Sequence, residues 1–150
     1  MNDTAPPVPG TSGERDDDRT DDRTDDRAED RAALDSLVDE WLTLPDVAEA
    51  LGIAVSKVRG LVDDRTLVGI RRGERHTLQV PAAFLVTDGD APHVLPTLRG
   101  TVLVLSDVGL DDPAILRWLF ETEPSIGNAP IAELRAGRRA QVRRVAQALL

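Results

Sequence analysis

Apolar side chains begin to recur at helical spacing near residue 34, and the pattern continues through most of the chain. A short first helix is predicted from the apolar positions Leu34, Leu37, Val38, Trp41 and Leu42. A second helix is predicted over residues 45–51, because Pro45 suits a first helical turn and Gly52 tolerates the left-handed conformation that often ends a helix. Residues 55–63 carry their apolar side chains on one face and predict a third helix.

Two short β-prone runs follow, at residues 67–70 and 77–80. They flank the segment from Arg71 to His76, in which Gly73 favours a tight turn. The pattern predicts a β-hairpin with a basic tip.

The remainder of the chain predicts mainly helices. Pro81 is expected to begin a brief helix that includes residues 82–85, and residues 87–93 are expected to form a loop because Asp, Gly and Pro dominate them. Asp111-Asp112-Pro113 is typical of a helix start. Helices are predicted over residues 98–108 (with some strand character), 114–120, 131–136 and 141–150.

Residues 1–33 have few apolar side chains and many charged ones. The first 13 residues are rich in Pro, Gly, Thr and Ser, and arginines then recur at every fourth position from Arg15 to Arg31 among aspartates. Such a segment buries too little apolar surface to offset the entropy lost on ordering it. We therefore expect a disordered acidic tail, with nascent helix only near residues 28–38.

The predicted fold class is mainly α: a winged helix-turn-helix with a small β-hairpin wing, followed by C-terminal helices and preceded by the disordered acidic tail. We assign the tail to residues 1–33, the winged helix-turn-helix to residues 34–86, and a helical region packed on it to residues 94–150.

The net charge of −9 argues against nucleic-acid binding until its distribution along the chain is considered. Residues 1–33 hold 11 acidic and 5 basic side chains, a net charge of −6, whereas residues 41–86 hold 5 acidic and 6 basic side chains, a net charge of +1. A local basic face is sufficient for a protein to bind nucleic acid. The acidity therefore lies mainly in the predicted tail.

The order of short helix, glycine turn, second helix and basic hairpin predicts binding to double-stranded DNA. In this geometry the second helix presents its N-terminal half to a major groove about 12 Å wide, and the hairpin lies along the flanking backbone. The alternative interpretation is two packed helices followed by a solvated turn. The side chains predicted to contact DNA are Ser56, Lys57, Arg59, Arg65, Arg71, Arg72, Arg75 and His76.

Residues 42–53 resemble the opening of the winged helix of MerR and excisionase type proteins. Val58-Arg59 stands where that superfamily often carries a Val-Arg pair in its recognition helix, and residues 67–81 match its wing. Ala54 departs from the pattern, because a capping residue such as Ser is usual there, and Gly60 departs because a second basic residue is common. These departures imply weaker or less base-specific docking.

From residue 41 to residue 150 the chain is also similar to an actinobacterial family of small winged-helix DNA-binding proteins. The similarity rests on Leu95-Pro96, on the segment from Ile115 to Phe120, on Pro130-Ile131 and on a closing Arg-rich helix. A membrane Ser/Thr kinase phosphorylates the disordered tail of that family on Thr, so the resemblance implies a kinase partner and a phosphoprotein. The tail itself does not match, which leaves Thr4, Thr11, Thr20 and Thr24 as phosphorylation candidates. DNA binding in turn predicts a role in transcription regulation.

Other chemistry finds little support in the sequence. The chain has no cysteine, its two histidines, His76 and His93, have no metal-ligand partner at helical spacing, and it contains no phosphate-binding loop or nucleophile elbow. Asp111 and Asp112 are expected to cap a helix rather than to form a catalytic pair. We expect neither an enzyme nor a protein that binds a cofactor or a metal.

The sequence also predicts where the protein resides. No apolar run approaches the roughly 18 residues that a membrane span requires, and the N-terminus lacks the basic and apolar stretches of a signal peptide. We therefore expect a cytoplasmic, nucleoid-associated protein without membrane insertion. No long heptad pattern demands a coiled coil, so monomer and homodimer both stay open.

A second functional interpretation concerns residues 130–137. This segment and the helix after it resemble the toxin-binding domain of some antitoxins, in which a short helical domain follows a DNA-binding domain. The chain would then act as a protein-interaction module through its C-terminal helices. The simpler alternative is that these helices complete the core or a dimer interface.

Overall fold

The computed structural model describes residues 28–89 and 91–150. Residues 1–27, which include most of the predicted tail and the candidates Thr4, Thr11, Thr20 and Thr24, lie outside the described residues. The elements, in chain order, are helix α1 (28–37), β1 (Trp41–Thr43), α2 (Leu44–Leu51), α3 (Val55–Asp63), β2 (Ile70–Arg72), β3 (Thr77–Pro81), a 3-10 turn (Ala82–Phe84), β4 (Leu85–Asp88), β5 (Ala91–Val94), α4 (Leu98–Val108), α5 (Asp112–Phe120), α6 (Pro130–Arg135) and α7 (Arg139–Gln147). The predicted fold class is confirmed for this part of the chain.

Helices α2 and α3 form the helix-turn-helix. Thr43 caps α2 through a reciprocal pair of bonds: its hydroxyl accepts from the Asp46 N–H at 3.3 Å, and the Asp46 carboxylate accepts from the Thr43 N–H at 3.1 Å. Gly52 ends α2 with φ of +69°, the left-handed conformation that the sequence predicts. The two helices lie within a residue of their predicted bounds, and Val47 and Val58 are fully buried between them and the core.

A three-stranded antiparallel sheet in the order β1-β3-β2 carries the wing, by which we mean residues 70–81. The hairpin prediction is confirmed, and Gly73 turns it with φ of +78°. Its first strand, however, covers Ile70–Arg72 and not residues 67–70. Leu67 and Val68 are consecutive and both fully buried, which a strand with one exposed face does not allow, so this apolar run fills the core instead.

Strand β1 corrects the prediction that Trp41 and Leu42 extend the first helix. The helix ends at residue 37, and Trp41 and Leu42 pair with Pro81 and Val80 of β3. Their spacing from Leu34 suits a helix only by coincidence, because the chain turns at residues 38–40 and the two side chains pack from the sheet.

A second hairpin, β4 and β5, corrects the predicted loop over residues 87–93. Leu85 pairs with Val94 and Val86 with His93, so Leu85 begins a strand and does not belong to the brief helix, which is a single 3-10 turn. Gly89 supplies the turn with φ of +78°. The Asp, Gly and Pro residues that indicated a loop belong to this turn and to a two-stranded ribbon, where Pro92 has no neighbouring strand on its outer side.

The predicted C-terminal helices are present as α4 to α7. Asp111 caps α5 by accepting from the Ala114 N–H at 3.1 Å, as its position before Pro113 predicts. Helix α4 packs on α7 and α5 on α6, and the side chains fully buried between them include Leu98, Val102, Leu105, Ile115, Leu116 and Leu119. One cluster of buried side chains runs through these helices and the winged helix-turn-helix.

Helix α1 joins both halves of the described chain. Leu34 and Val38 are buried in the shared core, Asp30 contacts Arg117 of α5 at 3.1 Å, and Asp35 forms an ion pair with Arg72 of the wing. Residues 28–33, which we had assigned to the tail, therefore lie in a helix that is tied to the fold.

Gly69 and Gly60 differ in the space around them, and substitutions at the two positions test how closely Gly69 packs against β3. A Cβ at Gly69 would clash with the Gln79 carbonyl and lie 2.8 Å from Val80 Cγ1, whereas a Cβ at Gly60 would meet nothing within 4 Å. We expect Gly69→Ala to lower the free energy of unfolding by about 1–3 kcal/mol, as overpacking does, and Gly60→Ala to raise it by up to about 1 kcal/mol in the helix interior. Urea denaturation measures both, and equal midpoints for Gly69→Ala and the unmodified protein would contradict the close packing.

Candidate nucleic-acid interface

The outward face of α3 carries three of the predicted contact residues. Ser56, Lys57 and Arg59 are exposed, while Val58 between them is fully buried and fixes the rotation of the helix. None of the three side chains has a hydrogen-bond or ion-pair partner within the described part of the chain, so all three are available to a ligand.

The N-terminus of α3 is weakly anchored. Ala54 occupies the capping position in extended conformation and offers no side-chain hydrogen bond, as its departure from the resembled pattern implies. The helix also contains Gly60 and three valines, which are poor helix formers. Its placement therefore depends on tertiary contacts rather than on its own stability.

Two arginine contacts connect the C-terminal end of α3 to the C-terminal helices. Arg99 of α4 donates through Nε to the Asp64 carbonyl at 2.9 Å, directly after the last helical residue. Arg65, with φ of +69°, donates through Nη1 to the Asp112 carboxylate of α5 at 2.9 Å. The hydroxyl and N–H of Thr66 donate to the Asp64 carboxylate and, with Arg99 nearby, hold the pKa of that carboxyl below its ordinary value.

The arginines of the wing divide between structure and surface. Arg72 is half-buried, pairs with Asp35 and stacks on the Trp41 ring with 4.3 Å between its guanidinium carbon and the ring centroid. Arg71 is exposed and donates to the His76 carbonyl at 3.0 Å across the turn, which leaves its remaining donors outside the hairpin. Arg75 is exposed without a partner in the described chain.

A groove between α3 and the wing brings together three arginines and a histidine. Arg59, Arg71, Arg75 and His76 line it, and we call it the wing groove. Apolar side chains, among them Val55, Val62 and Leu78, also line it, and Asp63 supplies one acidic group. The wing groove therefore holds three arginines beside the exposed face of α3.

The structure thus sorts the eight predicted contact residues into three groups. Four line the wing groove, Ser56 and Lys57 stand on the exposed face of α3, and Arg65 and Arg72 are held in intramolecular ion pairs. Sequence reasoning missed Arg99, because only the packing of α4 brings it to the end of α3. Across residues 28–89 and 91–150 no cluster of side chains is suited to hold a metal ion, and no helix is long and apolar enough to cross a membrane.

The contact from Arg99 predicts a measurable effect on α3. We expect Arg99→Ala to speed amide hydrogen exchange at residues 60–64 by roughly two- to fivefold, because an exposed hydrogen bond of this kind contributes about 0.5–1 kcal/mol. Arg144→Ala, which removes an exposed arginine without a partner among the described residues, is the matched control. Unchanged exchange in Arg99→Ala would mean that α4 does not hold the end of α3.

Comparison with known proteins agrees with this architecture. Residues 30–85 match the family described as DNA-binding protein Rv2175c, wHTH domain, and residues 95–150 match the Rv2175c C-terminal domain of unknown function. The DNA-binding protein Rv2175c of Mycobacterium tuberculosis (strain ATCC 25618 / H37Rv) is 36% identical over 118 residues, which cover 71% of this chain and 77% of that protein. The NMR structure of Rv2175c superimposes with a TM-score of 0.64 at 33% identity, covering 73% of this chain and 80% of that one. The chain belongs to the Rv2175c family.

Proposed function

We propose that this protein binds double-stranded DNA through α3 and the wing. The observation that carries the proposal is the convergence of Arg59, Arg71, Arg75 and His76 on the wing groove, beside a helix whose outward face is free. Four donor-bearing side chains on one surface match the phosphate contacts that dominate DNA affinity. The relative named a DNA-binding protein supports the same partner.

The proposal gives the helix and the wing different tasks. Ser56, Lys57 and Arg59 project from the N-terminal half of α3, the part that enters a major groove in helix-turn-helix proteins, as in the MerR and excisionase type domains that the sequence resembles. Arg71 and Arg75 then neutralise backbone phosphates beside that groove. Arg65 and Arg72 have a positioning role, since their guanidinium groups are engaged with Asp112 and Asp35.

Binding of this kind supports a role in transcription regulation, with the nucleoid as the place of action. The segment before α1 supplies a means of modulation: residues 1–27 hold 9 acidic and 4 basic side chains, and their net charge of −5 competes with DNA phosphate for the same arginines. Phosphorylation of Thr4, Thr11, Thr20 or Thr24 by a Ser/Thr kinase would add about −1.5 to −2 charges and weaken DNA binding further. Monomer and homodimer are both compatible with the wing groove.

No separate toxin-binding function is proposed for residues 130–137. Ile131 and Leu134 are 6% and 2% exposed, and Arg135 donates to the carbonyls of Ala83 and Leu85. The segment therefore packs α6 into the core and onto the 3-10 turn and the start of β4.

A salt titration tests the DNA proposal. We expect the full chain to bind a fluorescent duplex at low salt, and Arg71→Ala combined with Arg75→Ala to reduce the slope of log K against log salt by about 2, one for each lost phosphate contact. Arg31→Ala, which removes an exposed arginine of α1, is the matched control. No binding of the unmodified chain at low salt would overturn the proposal in favour of a protein-interaction module, and an unchanged slope would remove the wing from the interface.

Deletion of residues 1–27 tests the role of the tail. The deletion spares α1 and its pairs to Arg72 and Arg117, so we expect the folded part to stay intact. DNA affinity should rise at low salt, because a competing polyanion is lost, and the gain should fade as salt screens both interactions. Equal affinity of the two chains in the same fluorescence titration would mean that the tail does not compete with DNA.

A further inference from the structure

Residues 134–150 hold five arginines and no acidic side chain, a net charge of +5 in a chain whose net charge is −9. Two of the five have structural partners: Arg135 contacts the Ala83 and Leu85 carbonyls, and Arg138 contacts Glu133. Arg139, Arg143 and Arg144 are exposed on α7 without a partner in the described residues. We call these three side chains the α7 basic face.

The α7 basic face is unfavourable for the stability of its own helix. Arg139 is the first residue of α7, so an unpaired cation stands at the end of the helix that is already partially positive, beside the cap residue Arg138, whose charge Glu133 balances. The first turn holds no acidic residue, and Arg139 and Arg143 repel each other one turn apart. Charges such as those of Arg139 and Arg143, which oppose the local preferences of the helix and have no acidic partner in the described residues, are typical of a functional surface.

The first turn of α4 is a shared neighbour of the α7 basic face and of the C-terminal end of α3. Arg139 and Arg143 border a groove whose other wall is formed by Pro96, Thr97, Gly100 and Thr101. The groove is open, because a Cβ at Gly100 would meet nothing within 4 Å. Arg99, in the same turn of α4, reaches the Asp64 carbonyl at the end of α3. The α7 basic face and the C-terminal end of α3 therefore flank one helical turn of α4.

We infer that the α7 basic face binds the phosphate backbone of the duplex beyond the part that α3 and the wing contact, which gives the C-terminal domain a direct role in DNA binding. This inference rests on the proposed function. A protein partner is disfavoured because protein interfaces are centred on large apolar anchors, whereas the exposed residues of α7 from 139 to 144 are three arginines, Ala140 and Gln141. A polyanion such as the DNA backbone, in contrast, can bind a surface that offers only positive charge.

The test compares three variants of the full chain on duplexes of about 12 and about 30 base pairs, the shorter being little more than one helical turn. The first variant replaces Arg139, Arg143 and Arg144 by Ala, the second replaces them by Lys, and the control carries Gln141→Ala and Gln147→Ala on the same helix. On the longer duplex we expect the Ala variant to lose at least about tenfold in affinity at low salt and to reduce the salt slope by about 2–3. The Lys variant and the glutamine control should bind like the unmodified chain.

The duplex length separates this inference from the proposed function. The Ala variant should match the unmodified chain on the shorter duplex, whereas the wing variant Arg71→Ala with Arg75→Ala should be weakened on both. A weakened wing variant beside an Ala variant with the unmodified slope on the longer duplex would overturn the inference and leave the proposed function standing. Tighter binding by the Ala variant would also overturn it. Urea denaturation should show the Ala variant at least as stable as the unmodified chain, because it removes charge repulsion.

Discussion

The placement of α3 is the constraint on which the candidate interface depends. A nine-residue helix with an uncapped start and an internal glycine is marginal by itself, so it is held by burial of Val58 and by the contacts that Arg99 and Arg65 make at its far end. Both contacts connect it to the C-terminal helices. The exposed face of α3 therefore depends on the C-terminal helices for its placement, which gives a physical reason for these helices to share one core with the helix-turn-helix.

The arginines of the described residues have two roles, and the presence of a partner within reach separates them. Where a carboxylate or a backbone carbonyl lies within reach, the guanidinium group joins elements that are far apart in sequence, as Arg72 does with Asp35 and Arg135 with the carbonyls after the wing. Where no partner lies within reach, as at Arg59 and Arg75, the charge stays on the surface. An acidic protein can thus present basic surfaces, because its carboxylates are concentrated elsewhere in the sequence.

Local sequence signals were sufficient to predict those elements whose ends are determined by interactions within a single helical turn. Pro45, Gly52 and the Asp111 cap act within one turn of their own helix, and the bounds of α2, α3 and the start of α5 follow from them. The β4–β5 hairpin and the strand at Trp41 were missed because pairing across the sheet decides them, and no spacing within the segment reveals a partner. The contact residues followed the same division: exposed Arg59 and Arg75 were identifiable from the pattern, but the ion pairs of Arg65 and Arg72 exist only once α5 and α1 have packed.

The balance between base recognition and phosphate binding in the proposed function follows from the same side chains. On α3 only Lys57 and Arg59 are long enough to reach far into a groove, and Gly60 adds none. Base discrimination comes from such side chains at about 1–3 kcal/mol for each good bidentate pair, so this helix has little capacity for it. Phosphate contacts carry no sequence information but add affinity with each neutralised charge. This surface has few side chains that can recognise bases and several arginines that can contact phosphates. Its proposed DNA affinity is therefore controlled by charge and salt concentration more than by base sequence. In such a protein the acidic segment before α1 is the component best suited to adjust affinity, since it acts on the same electrostatic term.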